Sequence, residues 1–526
     1  MGTTADKLNY LSNTKNLIKN AIVNKGQTVN SGDSFRSFAS KIENIQTGVD
    51  LNDYWNLNPT YGMYSIYGLI RQIPENINTS NWSRMNNFFR SWGKDTGQGG
   101  IPNLPNWDTS NVIDMTNMFC NCAVTDLNLS SVNWNTSKVT NMADIFSESP
   151  FISACPNWDT SNVTDLYGAF VNCYNLKTFP NWNTMKVTNM SYMLRGCYRK
   201  DFTTIPNFNT SKVVNMAGML LGCRGLTSVP NWDTSNVTNM SNMFRECLNL
   251  TSVPNLNTVK VGDMSNMYYY CLNLENVPQL NFYNANNTQW MFSYCNKLTT
   301  LTNLNITSSV EIKIGQNMFG TCSNLQTISN LTLGNLNNAT YMFYRCSNLT
   351  NISNLKILNS NYFYRAFYDC NKLDTVSDSI FFNDLNITGL FSYLPNLRYV
   401  SNLKFENSII NTMFQGCNNL ISAIGIDVSN VKSLHQMFYG CPNLSEVSIL
   451  NASEVTEMVY IFQNCKNLSD ASIQNIINMC LNSNITNSSF KNLRSTNMTG
   501  PFYLTDIVNT RYQNRWTELT AAGWKY

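Results

Sequence analysis

The chain has 526 residues, of which 43% are hydrophobic and only 13% charged, with 35 Lys and Arg against 32 Asp and Glu. A net charge of +3 gives no basic stripe of the kind nucleic-acid binding needs. No apolar run reaches the roughly 18 residues of a membrane span, and residues 1–40 hold no apolar signal segment, so the sequence predicts a protein that stays in the cytoplasm where it is made, or leaves by lysis or inside a particle.

In chain order, residues 1–48 come first. Leu8, Leu11, Leu17, Ile18 and Ile22 fall at mostly helical spacing. After Gly26 and a Ser-Gly-Asp break, Phe35, Phe38, Ile42 and Ile45 mark a second helix with Asp33 as its N-cap. This helical hairpin is too small to bury much core of its own. It is expected to serve as a cap, an oligomerisation segment or an attachment segment. Residues 49–103 read as a degenerate first coil or two, because Met85-Asn86-Asn87-Phe88-Phe89 repeats a pattern that becomes regular further on.

From residue 104 to 468 the sequence repeats. Asn106-Trp107-Asp108-Thr109-Ser110-Asn111-Val112 returns as Asn231-Trp232-Asp233-Thr234-Ser235-Asn236-Val237, each followed seven residues after the valine by Phe119 or Phe244. Taking that closing residue as an anchor gives Phe119, Phe146, Phe170, Leu194, Leu220, Phe244, Tyr268, Phe292, Phe319, Phe343, Phe367, Phe391, Phe414, Phe438 and Phe462. Ten of the fourteen gaps are 24 residues, and the others are 23, 26, 27 and 27. So constant a period means that each copy is one coil of a stack that cannot bury its apolar face alone.

Within a coil, Met240, Met243, Phe244, Cys247 and Leu250 follow the i, i+3, i+4, i+7 pattern of a short helix. Val253 and Leu256 suit an extended stretch, and Asp-Thr-Ser-Asn suits a turn closed by its own side chains. The expected fold class is an α/β repeat solenoid of about fifteen coils of 24 residues, with an N-terminal helical hairpin and terminal caps. Strands stack about 4.8 Å apart and helices about 8–10 Å, so the stack is expected to curve with its strands inside. Residues 469–526 form the C-terminal cap, with a helix through Ile473, Ile476, Ile477 and Cys480 and with Trp516 and Trp524 over the last coil.

The pattern Trp-Asp-Thr-Ser-Asn-Val-Thr-Asn-Met followed by Met-Phe resembles BspA-type leucine-rich repeats. That resemblance implies a curved solenoid that binds surfaces or partners, although the bacterial members carry export signals that this sequence lacks. Thr4-Ala5-Asp6-Lys7-Leu8-Asn9-Tyr10-Leu11, with Thr14 to Lys19, resembles the start of tail-associated structural proteins of phages of Gram-positive bacteria. The closing Ala521-Ala522-Gly523-Trp524-Lys525-Tyr526 also looks like the ends of such proteins.

Of 16 cysteines, 13 stand three residues after an anchor. One cysteine per coil on a helical side would lie beyond the 4.4–6.8 Å reach of a disulfide, and zinc needs clustered ligands, so a ladder of buried free thiols is expected. No active site is legible. The single histidine, His435, falls at a position that is Ser or Thr in other coils and is expected to be solvated. Asp108, Asp159 and Asp233 recur as turn residues, not as a catalytic pair. No cofactor or metal motif is found.

The candidate surface-binding residues are Tyr268, Tyr269, Tyr270, Tyr198 and Arg199, because aromatic and arginine side chains make good anchors. The expected function is a non-catalytic phage virion protein of the tail or baseplate. It would attach to other virion proteins through its N-terminal segment and bind a host-surface glycan or protein through the solenoid. It is expected to take no nucleic acid and to insert into no membrane, and a homo-oligomer formed through residues 1–48 is compatible with the same reading. The alternatives are a structural spacer or decoration of the virion, and a cellular adhesin or interaction scaffold.

Overall fold

The computed structural model describes residues 4–24, a few positions between 29 and 38, 79–91 except 81, 104–123 except 105, 132–483 apart from 178, 180, 360–361, 384–386 and 407–408, and 513–522. The chain divides into two compact units, Met1–Asn236 and Val237–Tyr526.

The first unit begins with helix α1, Thr4–Asn24, which buries Ile22 and leaves Leu11 and Leu17 exposed. Of the second predicted helix only Phe38, which is buried, lies with its flank Asp33 and Ser34 inside the described residues. The coils that follow meet edge to edge. Arg84, Asp114, Asn141, Asp165, Asn189 and Asn215, each five residues before its anchor position, form a chain of single parallel bridges. Asp or Asn is placed there because its side chain closes the next turn. Asp114 accepts the N–H of Thr116 at 3.0 Å, Asn141 that of Ala143 at 2.9 Å and Asp165 that of Tyr167 at 2.8 Å. A second such turn sits at the Asp-Thr-Ser-Asn motif, where Asp108 accepts from Ser110 at 3.0 Å and Asp159 from Ser161 at 2.9 Å. The acids that recur are therefore turn residues, as the sequence suggested.

The predicted short helices are absent from the described coils. Met115, Asn117, Phe119 and Asn121 donate their N–H groups to Asn141, Ala143, Ile145 and Ser147 of the next coil, at 2.6–2.9 Å. Met118 and Cys120 instead donate three residues back, to Met115 and Asn117. Two left-handed residues four apart, Asn117 (φ 56) and Asn121 (φ 63), fold the chain this way. The result is a ribbon of turns that faces the same residues inward as a helix would. It lets the anchor side stack at strand spacing: Phe89, Phe119, Phe146 and Phe170 are 5.1–5.5 Å apart, ring to ring. The spacing difference on which the expected curvature rested is not there.

In the second unit the same turn ribbon runs from Phe244 to Phe462, with anchor rings 4.9–5.8 Å apart and nearly parallel. Each stacked pair adds about 0.5–1.5 kcal/mol beyond its buried area. From Thr300 the other sides of the coil become strands: β1 Thr300–Thr302, β2 Asn305–Ile312, β3 Thr327–Ser329, β4 Thr332–Leu336, β5 Asn351–Ser353, β6 Lys356–Leu358, β7 Thr375–Asn383, β8 Tyr399–Glu406, β9 Ser422–Asp427 and β10 Glu446–Leu450. All pair in parallel. The register places Leu301, Ile328, Ile352, Val376, Val400, Ala423 and Val447 in one buried column. This region is a parallel β-solenoid.

Asparagines turn its corners. Asn303, Asn330, Asn354 and Asn402 are left-handed, and Asn330 and Asn354 donate to the amide oxygen of the preceding corner at 2.8 and 2.6 Å. Helix α2, Asp470–Asn482, is capped by Ser469 and buries Ile473, Ile476, Ile477 and Cys480 as the sequence predicts. Ser472 Oγ accepts the N–H of Val447 at 2.8 Å, so α2 covers the open edge of β10. Helix α3, Gln513–Ala521, follows. The roles expected of the Trp516 and Trp524 side chains lie outside the described residues.

Candidate functional site

Four positions per coil line the outer side of the turn ribbon, three and two before the anchor and one and two after it, part-exposed in some coils and buried in others. Two of these, two before and two after, are the left-handed ones. Left-handed backbone suits Gly and Asn and costs about 1–2 kcal/mol for other residues. Many coils obey that preference, with Asn117, Asn121, Gly168, Asn172, Gly218 and Gly222. Others place large side chains there: Tyr192, Tyr270, Trp290, Tyr294, Tyr341, Arg345, Arg365 and Tyr393, all at φ between 52 and 64. A bulky residue held in a strained conformation on an exposed edge points to a use for its side chain.

These residues cluster. In the second unit Arg245 lies 4.9 Å from the Tyr269 ring, Tyr269 meets Trp290 and Tyr294 edge-on at 6.0 and 5.6 Å, and Tyr270 lies 5.2 Å from Tyr294. One coil further, small residues take over at Asn317, Gly320 and Thr321. A second cluster then begins. Arg345 lies over Tyr344 at 4.9 Å, and Arg365 is surrounded by Tyr364, Tyr368 and Tyr393 at 4.9, 5.1 and 5.3 Å. Tyr364 and Tyr393 remain about 40% exposed, so the cation is caged while the outer rings face solvent. The first unit has its own group, in which Tyr174 stacks on Tyr198 at 5.4 Å and Arg224 covers Tyr198 at 4.9 Å.

The five residues picked from sequence fare differently. Tyr269, Tyr270 and Tyr198 are part of these clusters. Tyr268 is not a surface residue: it is an anchor, fully buried between Phe244 and Phe292 at 5.3 and 5.1 Å. Burial there drives its phenol well above the usual value. Arg199 is held by Asp201 through two contacts of 2.7 and 2.5 Å, so its guanidinium already has a partner. Sequence reasoning missed Arg245, Trp290, Tyr294, Arg345 and Arg365. Aligning the coils on their anchors would have found them, because they share columns and not a run.

His435 is not solvated as expected. It is half-buried, its ring lies 6.2 Å from that of Tyr460, and Nδ1 is shielded without a partner. Ser433 Oγ beside it lies 2.7 Å from Glu457 Oε2 and 2.8 Å from Asn411 Oδ1, which gives the hydroxyl no contact with the imidazole. Among the described residues none of the 16 cysteines forms a disulfide. Cys271, Cys346 and Cys441 lie 3.0, 3.3 and 3.1 Å from the carbonyl oxygens of Phe244, Phe319 and Phe414 one coil back, so each thiol donates along the stack. Burial pushes Cys197 and Cys465 up to about 12. Among the described residues no group of three or more His, Cys, Asp or Glu could hold a metal ion, and no helix is long and apolar enough to cross a membrane.

A parallel coil of this kind, with asparagine corners and one cysteine per turn, defines a leucine-rich-repeat solenoid. The BspA type leucine rich repeat region matches residues 289–421 in six copies. The chain belongs to the family described as Mycoplasma protein of unknown function, DUF285, whose model matches residues 33–149, 83–203, 198–306 and 408–519, more than half of its length. No curated protein matches it.

Among solved structures, a leucine-rich-repeat protein of T. pallidum is 20% identical, with 35% of this chain and 77% of that one covered at a TM-score of 0.23. A leucine-rich-repeat protein of Bacteroides ovatus is 18% identical, with 63% and 76% covered at 0.32. A leucine rich cell surface protein of Faecalibacterium prausnitzii is 20% identical, with 63% and 82% covered at 0.28.

Proposed function

We propose that the chain is a non-catalytic binding scaffold, an adhesin or interaction protein. Its repeat runs through fifteen coils from residue 104 to 468, and it engages a cell surface or partner protein through the aromatic and arginine columns of the turn ribbon. The observation that carries this reading is the set of tyrosines, tryptophan and arginines kept in left-handed positions where asparagine or glycine would be cheaper. Aromatic rings and guanidinium groups supply large contact area at low entropic cost, the usual chemistry of binding anchors.

Residues 1–48 would attach or oligomerise the scaffold as a helical hairpin, and residues 49–103 and 469–526 would close its ends. Attachment to the tail or baseplate of a phage particle rests on the N-terminal resemblance alone. The family match supports the broader scaffold reading.

The test is a pull-down of full-length protein on intact bacterial cells, alongside a Trp290→Asn, Tyr294→Asn double variant. Saturable binding that falls about tenfold in the variant, with melting temperature unchanged or raised, is expected, since Asn tolerates positive φ. A variant that binds as well as its parent removes the turn ribbon as the binding face. Copurification of the chain with phage particles would move the reading to the virion.

A further inference from the structure

A concavity lies away from the turn ribbon, where the second unit changes from bridged coils to strands. It is a cleft of about 460 Å³, reached by Asn257, Gln279, Asn281, Tyr283, Asn305 and Thr307 from three successive coils. Two departures from the repeat open it. The position twelve before the anchor, a buried tryptophan at Trp107, Trp134 and Trp158, is here the smaller Leu256 and Leu280. The coil closed by Phe319 is also 27 residues long, and its three extra residues bulge from β2 between Thr307 and Ile312, where the register breaks.

The bulge fixes one wall. Ser309 donates to the Tyr283 carbonyl from its N–H and its hydroxyl, both at 2.7 Å, and the Ser308 hydroxyl lies 3.0 Å from the same oxygen. The Tyr283 N–H donates to Asn281 Oδ1 at 2.8 Å. Its backbone is thus held on both sides while its side chain leaves the residue 57% exposed, the highest value among the exposed tyrosines apart from Tyr362 at 58%. A ring so placed meets a ligand without losing much freedom.

The lining decides the class of ligand. None of its residues is Lys, Arg, Asp, Glu or His, so an ion entering the cleft would shed water without meeting a counter-charge. Amides and hydroxyls both donate and accept, which matches groups that do the same. The volume falls in the lower part of the range for small-molecule sites, about 300–1,000 Å³.

We infer that this cleft is a subsite for a neutral saccharide of one or two units, with Tyr283 against the apolar face of a sugar ring and Asn257, Gln279, Asn281 and Asn305 on its hydroxyls. This site does not depend on the turn ribbon being a binding face.

The experiment is saturation-transfer NMR on full-length protein with glucose, galactose, mannose, N-acetylglucosamine and their β-1,4-linked dimers, and with glucuronic acid as the charged control. At least one neutral sugar is expected to bind saturably, and glucuronic acid is not. Tyr283→Ala is expected to weaken that binding about tenfold, Gln279→Ala to weaken it less, and Tyr270→Ala on the turn ribbon to leave it unchanged. Gln279 is exposed and carries the test should Tyr283→Ala fail to fold. Absence of binding by every neutral sugar, equal binding of glucuronic acid, or loss with Tyr270→Ala and not with the cleft variants overturns the assignment. The last result would move the sugar to the turn ribbon.

Discussion

The described coils of Met1–Asn236 and those beyond Thr300 build the same kind of turn ribbon and differ in how their other side is tied. In the first unit the ties are side chains. Thr109, Thr136, Thr160, Thr184 and Thr210 are buried, and each donates its hydroxyl to a carbonyl of the next coil at 2.8–3.0 Å. The backbone adds a single bridge per coil. Beyond Thr300 the ties are backbone ladders, and the threonines of β1 and β3 stand on the outer side. A solenoid can therefore be closed by side-chain hydroxyls where the chain is irregular and by peptide groups where it is extended. The two solutions should fail under different substitutions.

The largest expected effect lies in the part both share. Phe343 packs between Phe319 and Phe367 at 5.5 and 4.9 Å. Phe343→Ala should cost about 3–5 kcal/mol in urea unfolding followed by tryptophan fluorescence and circular dichroism. A loss below about 1 kcal/mol would mean that the anchor column is not the core of the second unit.

The next effect separates the two regions. Thr160→Val keeps the shape but leaves the Asn183 carbonyl, now bonded at 3.0 Å, without that donor. A cost of about 1–3 kcal/mol is expected. Thr302→Val, on the exposed side of β1, should stay within about 0.5 kcal/mol of the parent. Equal costs at the two sites would erase the distinction between side-chain and backbone closure.

The period and the inward columns were legible in the sequence because every coil must repeat the residues it stacks. The Asp-Thr-Ser-Asn turn was legible for the same reason. The helix was not, since Met115, Met118, Phe119 and Cys122 face inward in a turn ribbon at the spacing that also marks a helix. The discriminating signal was the recurrence of Asn or Gly four residues apart, as at Asn117 and Asn121 or Gly218 and Gly222. These residues weaken a helix and suit left-handed backbone. The proposed binding face was half legible. The run Tyr268-Tyr269-Tyr270 drew attention to one of its aromatic coils, but Tyr268 points into the stack, and the arginines join the proposed face through their columns. The cleft at Tyr283 was signalled by the 27-residue gap before Phe319 and by Leu256 and Leu280 in the tryptophan column.

The smallest expected effect again concerns side-chain closure. The turn carboxylates Asp108, Asp159 and Asp233 are held below the usual carboxylate value, the first two chiefly by the hydroxyls of Ser110 and Ser161 and the third chiefly by the N–H of Ser235. A carboxyl whose folded value is depressed stabilises the fold above its ordinary value of 3.8 and gives that up as pH falls through the lowered one. Hydrogen exchange at the Ser161 amide should therefore accelerate, relative to its intrinsic rate, only as the pH drops below about 4. Asp159→Asn supplies the same acceptor oxygen without a charge, as Asn135 and Asn183 already do in neighbouring coils at 3.1 and 3.0 Å. Its Ser161 amide should lose the pH dependence and keep its protection. If the amide of the Asn variant is unprotected at neutral pH, the charge and not the acceptor geometry closes the turn, and side-chain closure in the first unit is electrostatic in origin.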